Sequence, residues 1–81
     1  MTTAEDIQSW IQAGMQAERI EVQGDGAHFE AVIVSSEFQG KNTLARHRIV
    51  YTALGDKMKE AIHALSMKTL TPVEAEQNTG E

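Results

Sequence analysis

The chain is 81 residues long, carries a net charge of −5 at neutral pH and contains no cysteine. A domain of this size buries only about 60% of the surface of its unfolded chain, so one modest core is all it can build. Without cysteine it can form no disulfide and can offer no thiolate to a metal. No apolar run approaches the ~20 residues of a membrane span. The polar, acidic start from Met1 to Asp6 lacks both the basic and the apolar region of a secretion signal. A cytoplasmic protein with no membrane segment is therefore expected.

Thr2 and Glu5 are spaced as a capping box, and Ile7, Trp10, Ile11 and Met15 recur at helical intervals, which predicts an amphipathic helix over residues 3–16. Arg19 to Gln23 alternates polar and apolar, with Ile20 and Val22 facing inward, as in a half-buried strand. Gly24-Asp25-Gly26 is turn chemistry, and His28 to Ser35 holds the apolar run Ala31-Val32-Ile33-Val34, which suits a central strand covered on both faces. These two strands make a hairpin. Asn42 offers an N-cap to a helix that Gly55 is placed to end. Leu44, His47, Val50, Tyr51 and Leu54 fall on one face of it. Asp56 could cap a short helix through Ala61, and His63 to Leu70 reads as a third strand with His63, Leu65, Met67 and Thr69 on one side. Thr71-Pro72-Val73-Glu74 is a second capping box with proline at the first helical position.

A crossover of about 27 mostly helical residues separates the second strand from the third, which favours parallel pairing. The expected architecture is α+β, in the order α-β-β-α-α-β with a C-terminal helical turn, around a three-stranded mixed sheet. One domain is expected over residues 1–76, and residues 77–81, with nothing to bury, are expected to form a frayed tail.

Charge is unevenly spread. Residues 41–59 hold Lys41, Arg46, Arg48, Lys57 and Lys59 against the single acid Asp56, and the other eleven acids lie elsewhere. The cations form either a solvated helix face or a contact for phosphates or a partner's carboxylates. Of the three histidines, His47 shares its helical face with Leu44, Val50 and Tyr51 and reads as a packed residue at the edge of the core. His28 and His63 are too far apart to form a sequence motif. Parallel strands would nevertheless bring the starts of both to one edge of the sheet, so two imidazoles would share one end of the domain. Neutral imidazole is a good ligand for iron and zinc. Two such ligands are too few for a closed site, so a partner must supply the rest. A strand anchors His63, whereas His28 sits beside a glycine-rich turn, so His63 is expected to be the firmer ligand.

Four phrases occur in order: Phe38-Gln39-Gly40-Lys41, Arg46-His47-Arg48-Ile49-Val50-Tyr51, Ile62-His63-Ala64-Leu65 and Lys68-Thr69-Leu70-Thr71-Pro72. Over residues 4–74 the chain resembles the BolA family. Gly24-Asp25-Gly26-Ala27-His28-Phe29 resembles the histidine-bearing branch that includes the bacterial IbaG proteins. The resemblance implies a fold related to class II KH domains. It implies that His63, with His28 in the hairpin loop, ligates a [2Fe–2S] cluster shared with a monothiol glutaredoxin of the Cys-Gly-Phe-Ser type and its glutathione, the isolated apo protein holding none. Iron–sulfur trafficking or iron-linked regulation in stress response would be its work. Replacing thiolate by imidazole at one iron shifts its potential and charge, as in Rieske centres.

The resemblance leaves a second role open, DNA binding by the basic helix (residues 41–59); a weak homodimer is left open separately. Phe38-Gln39-Gly40-Lys41 stands where a KH domain has its nucleic-acid loop, but it holds one basic residue and lacks the two-glycine pattern of the KH clamp. Many relatives follow the last proline with an acid and a tryptophan. Here the run is Pro72-Val73-Glu74-Ala75, which argues against a well-packed final helix. Nothing in the sequence supports a catalytic triad, a phosphate-binding loop or a zinc motif, so no enzymatic activity is expected.

Overall fold

The computed structural model describes residues 1–62 and 64–77. Helix α1 (Ala4–Gly14) begins one residue later than the first capping pattern suggests. Thr3, not Thr2, is the N-cap: its hydroxyl accepts the Asp6 N–H at 3.1 Å, and its own N–H donates to the Asp6 carboxylate at 3.0 Å. Either register satisfies the spacing rule. Thr2 is drawn away because its hydroxyl donates to the Ala61 carbonyl at 2.7 Å, a contact that no local pattern encodes. Ile7 and Ile11, one turn apart, are fully buried beneath the helix.

Strands β1 (Arg19–Gly24) and β2 (His28–Val34) pair antiparallel, and β2 pairs parallel with β3 (Ala64–Leu70), giving the sheet order β1-β2-β3. Between β2 and β3 run a short 3-10 turn (Ser36–Phe38), α2 (Thr43–Leu54) and α3 (Lys57–Glu60), the helical crossover that parallel neighbours require. The Asn42 side chain accepts the Ala45 N–H at 2.9 Å to start α2, and the Gly55 N–H closes it on the Tyr51 carbonyl at 2.8 Å. Asp56 precedes α3 but makes no side-chain cap.

Side-chain alternation sorts the sheet into two faces. Ile20 and Val22, Phe29, Ala31 and Ile33, and Leu65, Met67 and Thr69 face the helices and form the core with Ile7, Ile11, Phe38, Val50, Leu54 and Ile62. Glu21, Gln23, His28, Glu30, Ser66 and Lys68 lie exposed on the opposite face. The central strand is thus covered on one face only, contrary to the reading of its apolar run. Val32 is only half-buried, and Val34 is buried at the strand's end between its register partners Arg19 and Leu70.

The inward face of α2 also differs from expectation. Leu44 is 61% and Tyr51 42% exposed, while Val50 and Leu54 are buried and Ile49 packs against the core. The helix is rotated so that the row through Arg46, Val50 and Leu54 faces inward. An apolar count finds Val50 and Leu54 but not the first member of the row, because it is an arginine. Helices α1 and α2 cross where Gly14 meets Ala53. A Cβ built on Gly14 would lie 2.5 Å from the Ala53 carbonyl oxygen and 2.7 Å from its Cα, both backbone atoms that cannot swing aside. Gly14→Ala should therefore destabilise the domain by about 1–3 kcal/mol through overpacking. Urea denaturation should show a lower midpoint with an unchanged slope.

Candidate metal-ligand site

His28 opens β2 on the exposed face of the sheet. The turn before it is built around Asp25, whose Oδ1 accepts the N–H groups of both Ala27 and His28 at 2.9 Å. The Asp25 N–H in turn donates to the His28 carbonyl at 3.2 Å, so both main-chain groups of His28 are held by one residue. These contacts, the His28 N–H first and the Ala27 N–H second, lower the pKa of the Asp25 carboxyl. Gly26 takes φ +101°, a left-handed value that suits glycine. Gly24 lets the end of β1 close on β2: a Cβ there would meet the His28 carbonyl and lie 2.5 Å from Cδ1 of Phe29. Phe29 is 2% exposed and anchors the strand in the core one residue after His28. The turn that the sequence suggested would leave His28 adjustable is therefore pinned by hydrogen bonds.

Around the imidazole lies an open depression of about 400 Å³, lined by Gln23, Gly24, Asp25, His28 and Glu30. In the parallel register His28 pairs with Ala64, the residue that follows His63 in the chain. His63 itself lies outside the described residues. Among the described residues no group of three or more His, Cys, Asp and Glu side chains could hold a metal ion.

The basic segment divides into two kinds of residue. Lys41, Arg48, Lys57 and Lys59 are exposed, and the Lys57 ammonium lies 5.0 Å from the Trp10 ring centroid in a cation–π contact that links α3 to α1. Arg46 is turned inward, its side chain only 14% exposed. Its guanidinium forks onto both oxygens of Glu74 at 2.7 and 3.1 Å and donates to the carbonyls of Thr69 at 3.1 Å and Lys41 at 2.8 Å. His47 is half-buried and meets Tyr51 edge to face, with ring centroids 6.3 Å apart.

With the fold and these positions in hand, the chain can be compared with known proteins. The family model for BolA-like proteins matches residues 7–74. The chain belongs to the BolA family. A solved bolA protein homologue from Coxiella burnetii superposes with a TM-score of 0.87 at 51% identity, covering 94% of this chain and 99% of that one. The chloroplastic/mitochondrial SufE-like protein 1 of Arabidopsis thaliana is 45% identical over 71 residues, 86% of this chain but 19% of that protein. The DNA-binding transcriptional regulator BolA of Escherichia coli is 40% identical over 48 residues, 59% of this chain and 46% of that protein. This BolA-family chain thus spans less than half the length of those two relatives. No helix among its described residues is long and apolar enough to cross a membrane.

The Arg46–Glu74 pair was not legible in the sequence. It carries the last helix, α4 (Pro72–Gln77), which buries no side chain of its own. The expected capping box is present: the Thr71 N–H donates to Glu74 Oε1 at 2.9 Å, and the Glu74 N–H donates to the Thr71 hydroxyl at 3.2 Å. The Arg46 guanidinium first, and the Thr71 N–H second, pull the Glu74 carboxyl from an ordinary 4.5 down to about 2. A carboxyl with a depressed folded-state pKa stabilises the fold above its unfolded pKa and loses that contribution as pH falls through the folded value. Glu74→Gln should therefore lower the thermal midpoint at pH 6. The gap to the unsubstituted protein should narrow between pH 4.5 and about 2 and be closed below that, as followed by far-ultraviolet circular dichroism.

Proposed function

We propose that this chain is a non-catalytic accessory protein of the histidine-bearing, IbaG-like branch of the BolA family. In this reading it forms a heterocomplex with a monothiol glutaredoxin and lends imidazole ligands from His28 and His63 to a [2Fe–2S] cluster that the glutaredoxin cysteine and glutathione complete. The observation that carries the reading is the register of the parallel strands. An exposed histidine on a pinned turn stands directly beside Ala64, and the next residue back along the chain is His63.

The donor set fits a shared rather than a resident group. The chain has no thiolate, and the groups flanking His28 are the carboxylates Asp25 and Glu30, hard ligands that iron–sulfur clusters do not favour. The protein's part is to hold nitrogen donors at a fixed place on an open surface, where a partner can approach without displacing a core residue. Trafficking of clusters or iron-linked regulation in the cytoplasm is the work this suits, since imidazole holds a cluster less firmly than thiolate.

The test is to mix the protein with glutathione-loaded monothiol glutaredoxin, iron and sulfide, and to record visible absorption and circular dichroism. His63→Ala and His28→Ala should each alter the spectrum of the heterocomplex. A spectrum unchanged by both substitutions would remove the ligand assignment. Because imidazole binds metal only when neutral, metal and proton compete for one nitrogen. Lowering the pH from about 8 to about 5.5 should release the cluster while the far-ultraviolet signal of the domain persists. Coincident loss of both signals would mean that the metal is structural.

The exposed Lys41, Arg48, Lys57 and Lys59, together with the likeness to a DNA-binding regulator, favour a second reading as a nucleic-acid binder. Four phosphate contacts would give a log–log salt dependence with a slope of about −3.6. Binding to a defined DNA sequence that is tight at near-physiological salt and lost in Arg48→Ala would put this reading first.

A further inference from the structure

We infer that Asp25 is the positioning residue of the candidate ligand site: its carboxylate oxygen fixes where His28 presents its ring. This rests on the reading of His28 as a ligand and extends it to a residue that touches no metal itself. Three main-chain contacts converge on the turn, the N–H groups of Ala27 and His28 on Oδ1 and the His28 carbonyl on the Asp25 N–H. A flexible Gly-Asp-Gly segment would otherwise leave the start of β2 free to sample many backbone states, because two of its three residues are glycine.

The division of labour is clear in the geometry. His28 contributes its whole backbone to the clamp, while its imidazole lies exposed on the open face and takes no hydrogen bond from the described residues. The backbone is therefore ordered before any partner arrives, while both ring nitrogens stay available. Pre-ordering of this kind lowers the entropy lost when a ligand shell forms. What the clamp needs from residue 25 is a short side chain ending in an acceptor oxygen. Asparagine supplies that and alanine does not.

The experiment compares Asp25→Ala with Asp25→Asn, using two readouts. In the apo protein, backbone nitrogen relaxation should give order parameters at Ala27 and His28 near 0.85, the range of rigid backbone, for both the unsubstituted chain and Asp25→Asn, falling below about 0.6 in Asp25→Ala. In the heterocomplex with glutaredoxin, glutathione, iron and sulfide, Asp25→Ala should shift the visible circular dichroism in the direction of His28→Ala, and Asp25→Asn should restore it. Phe29 and the strand beyond it should keep their amide shifts in both variants, which separates loss of the clamp from loss of the fold. Unchanged order parameters in Asp25→Ala would overturn the inference, as would an Asp25→Asn variant as mobile as Asp25→Ala. If instead the relaxation result holds but His28→Ala leaves the cluster spectrum untouched, the ligand reading falls and Asp25 remains the residue that orders the turn.

Discussion

The pairing of β2 with a strand on each side is the constraint from which the other features follow. A slip of one residue against either neighbour would send Phe29, Ala31 and Ile33 to the exposed face and bring Glu30 into the core. Phe29 and Ile33 are among the largest fully buried side chains, so such a slip is strongly opposed. Because the register is fixed by burial, it also fixes the surface. His28 must lie outward and must stand against Ala64. The outward face of His28 thus follows from core packing, and Asp25 then holds its main chain in place.

The two ends of the sheet are finished differently. At the far end, Ser35 is fully buried and bonded throughout: its N–H donates to the Leu70 carbonyl, its hydroxyl donates to the Gln16 carbonyl at 2.6 Å, and the same oxygen accepts the Glu37 N–H. Gln16 and Glu37 are further tied by a hydrogen bond of 2.7 Å between the Gln16 N–H and the Glu37 carboxylate. Loops before β1 and after β2 are therefore sewn together there. At the near end the bonds that hold the His28 main chain stay within one turn, around Asp25, and the surface beside it is open. One end of the sheet is thus tied across two loops, while the other presents an open surface beside His28.

Much of this was legible in the sequence, and the misses have physical reasons. The hairpin, the parallel third strand, the caps of α2 at Asn42 and Gly55, and the Thr71–Glu74 box all follow from local chemistry or from the length of the crossover. Local rules failed where a distant residue competed. Thr2 leaves its helix for the Ala61 carbonyl, and Arg46 takes an inward place on α2 because Glu74, far along the chain, meets it there. Hydrophobic counting placed Leu44, His47, Val50, Tyr51 and Leu54 on that face and was right for Val50 and Leu54, but no propensity rule seats an arginine inside without knowing its partner. Of the candidate site, the position of His28 could be read, but not the clamp on it. Asp25 looked like a turn residue only, although a short acidic side chain between glycines is the signal that could have revealed an acceptor for the following N–H groups.

The contact of Arg46 with Thr69 has a consequence for how the molecule behaves among copies of itself. Leu70 points its carbonyl towards the chain after β2, where Ser35 takes it, so the carbonyl of Thr69 one residue earlier points the other way, to the free edge of the sheet. An unpaired edge is a template on which a foreign strand can grow. The guanidinium, itself paired with Glu74, already occupies that carbonyl, and the exposed Lys68 places a positive charge on the adjoining face. Strand addition along the last residues of β3 would have to displace a fork bound to Glu74 at the same time. The residue that fastens the final helix therefore also occupies a backbone acceptor at the border of the sheet.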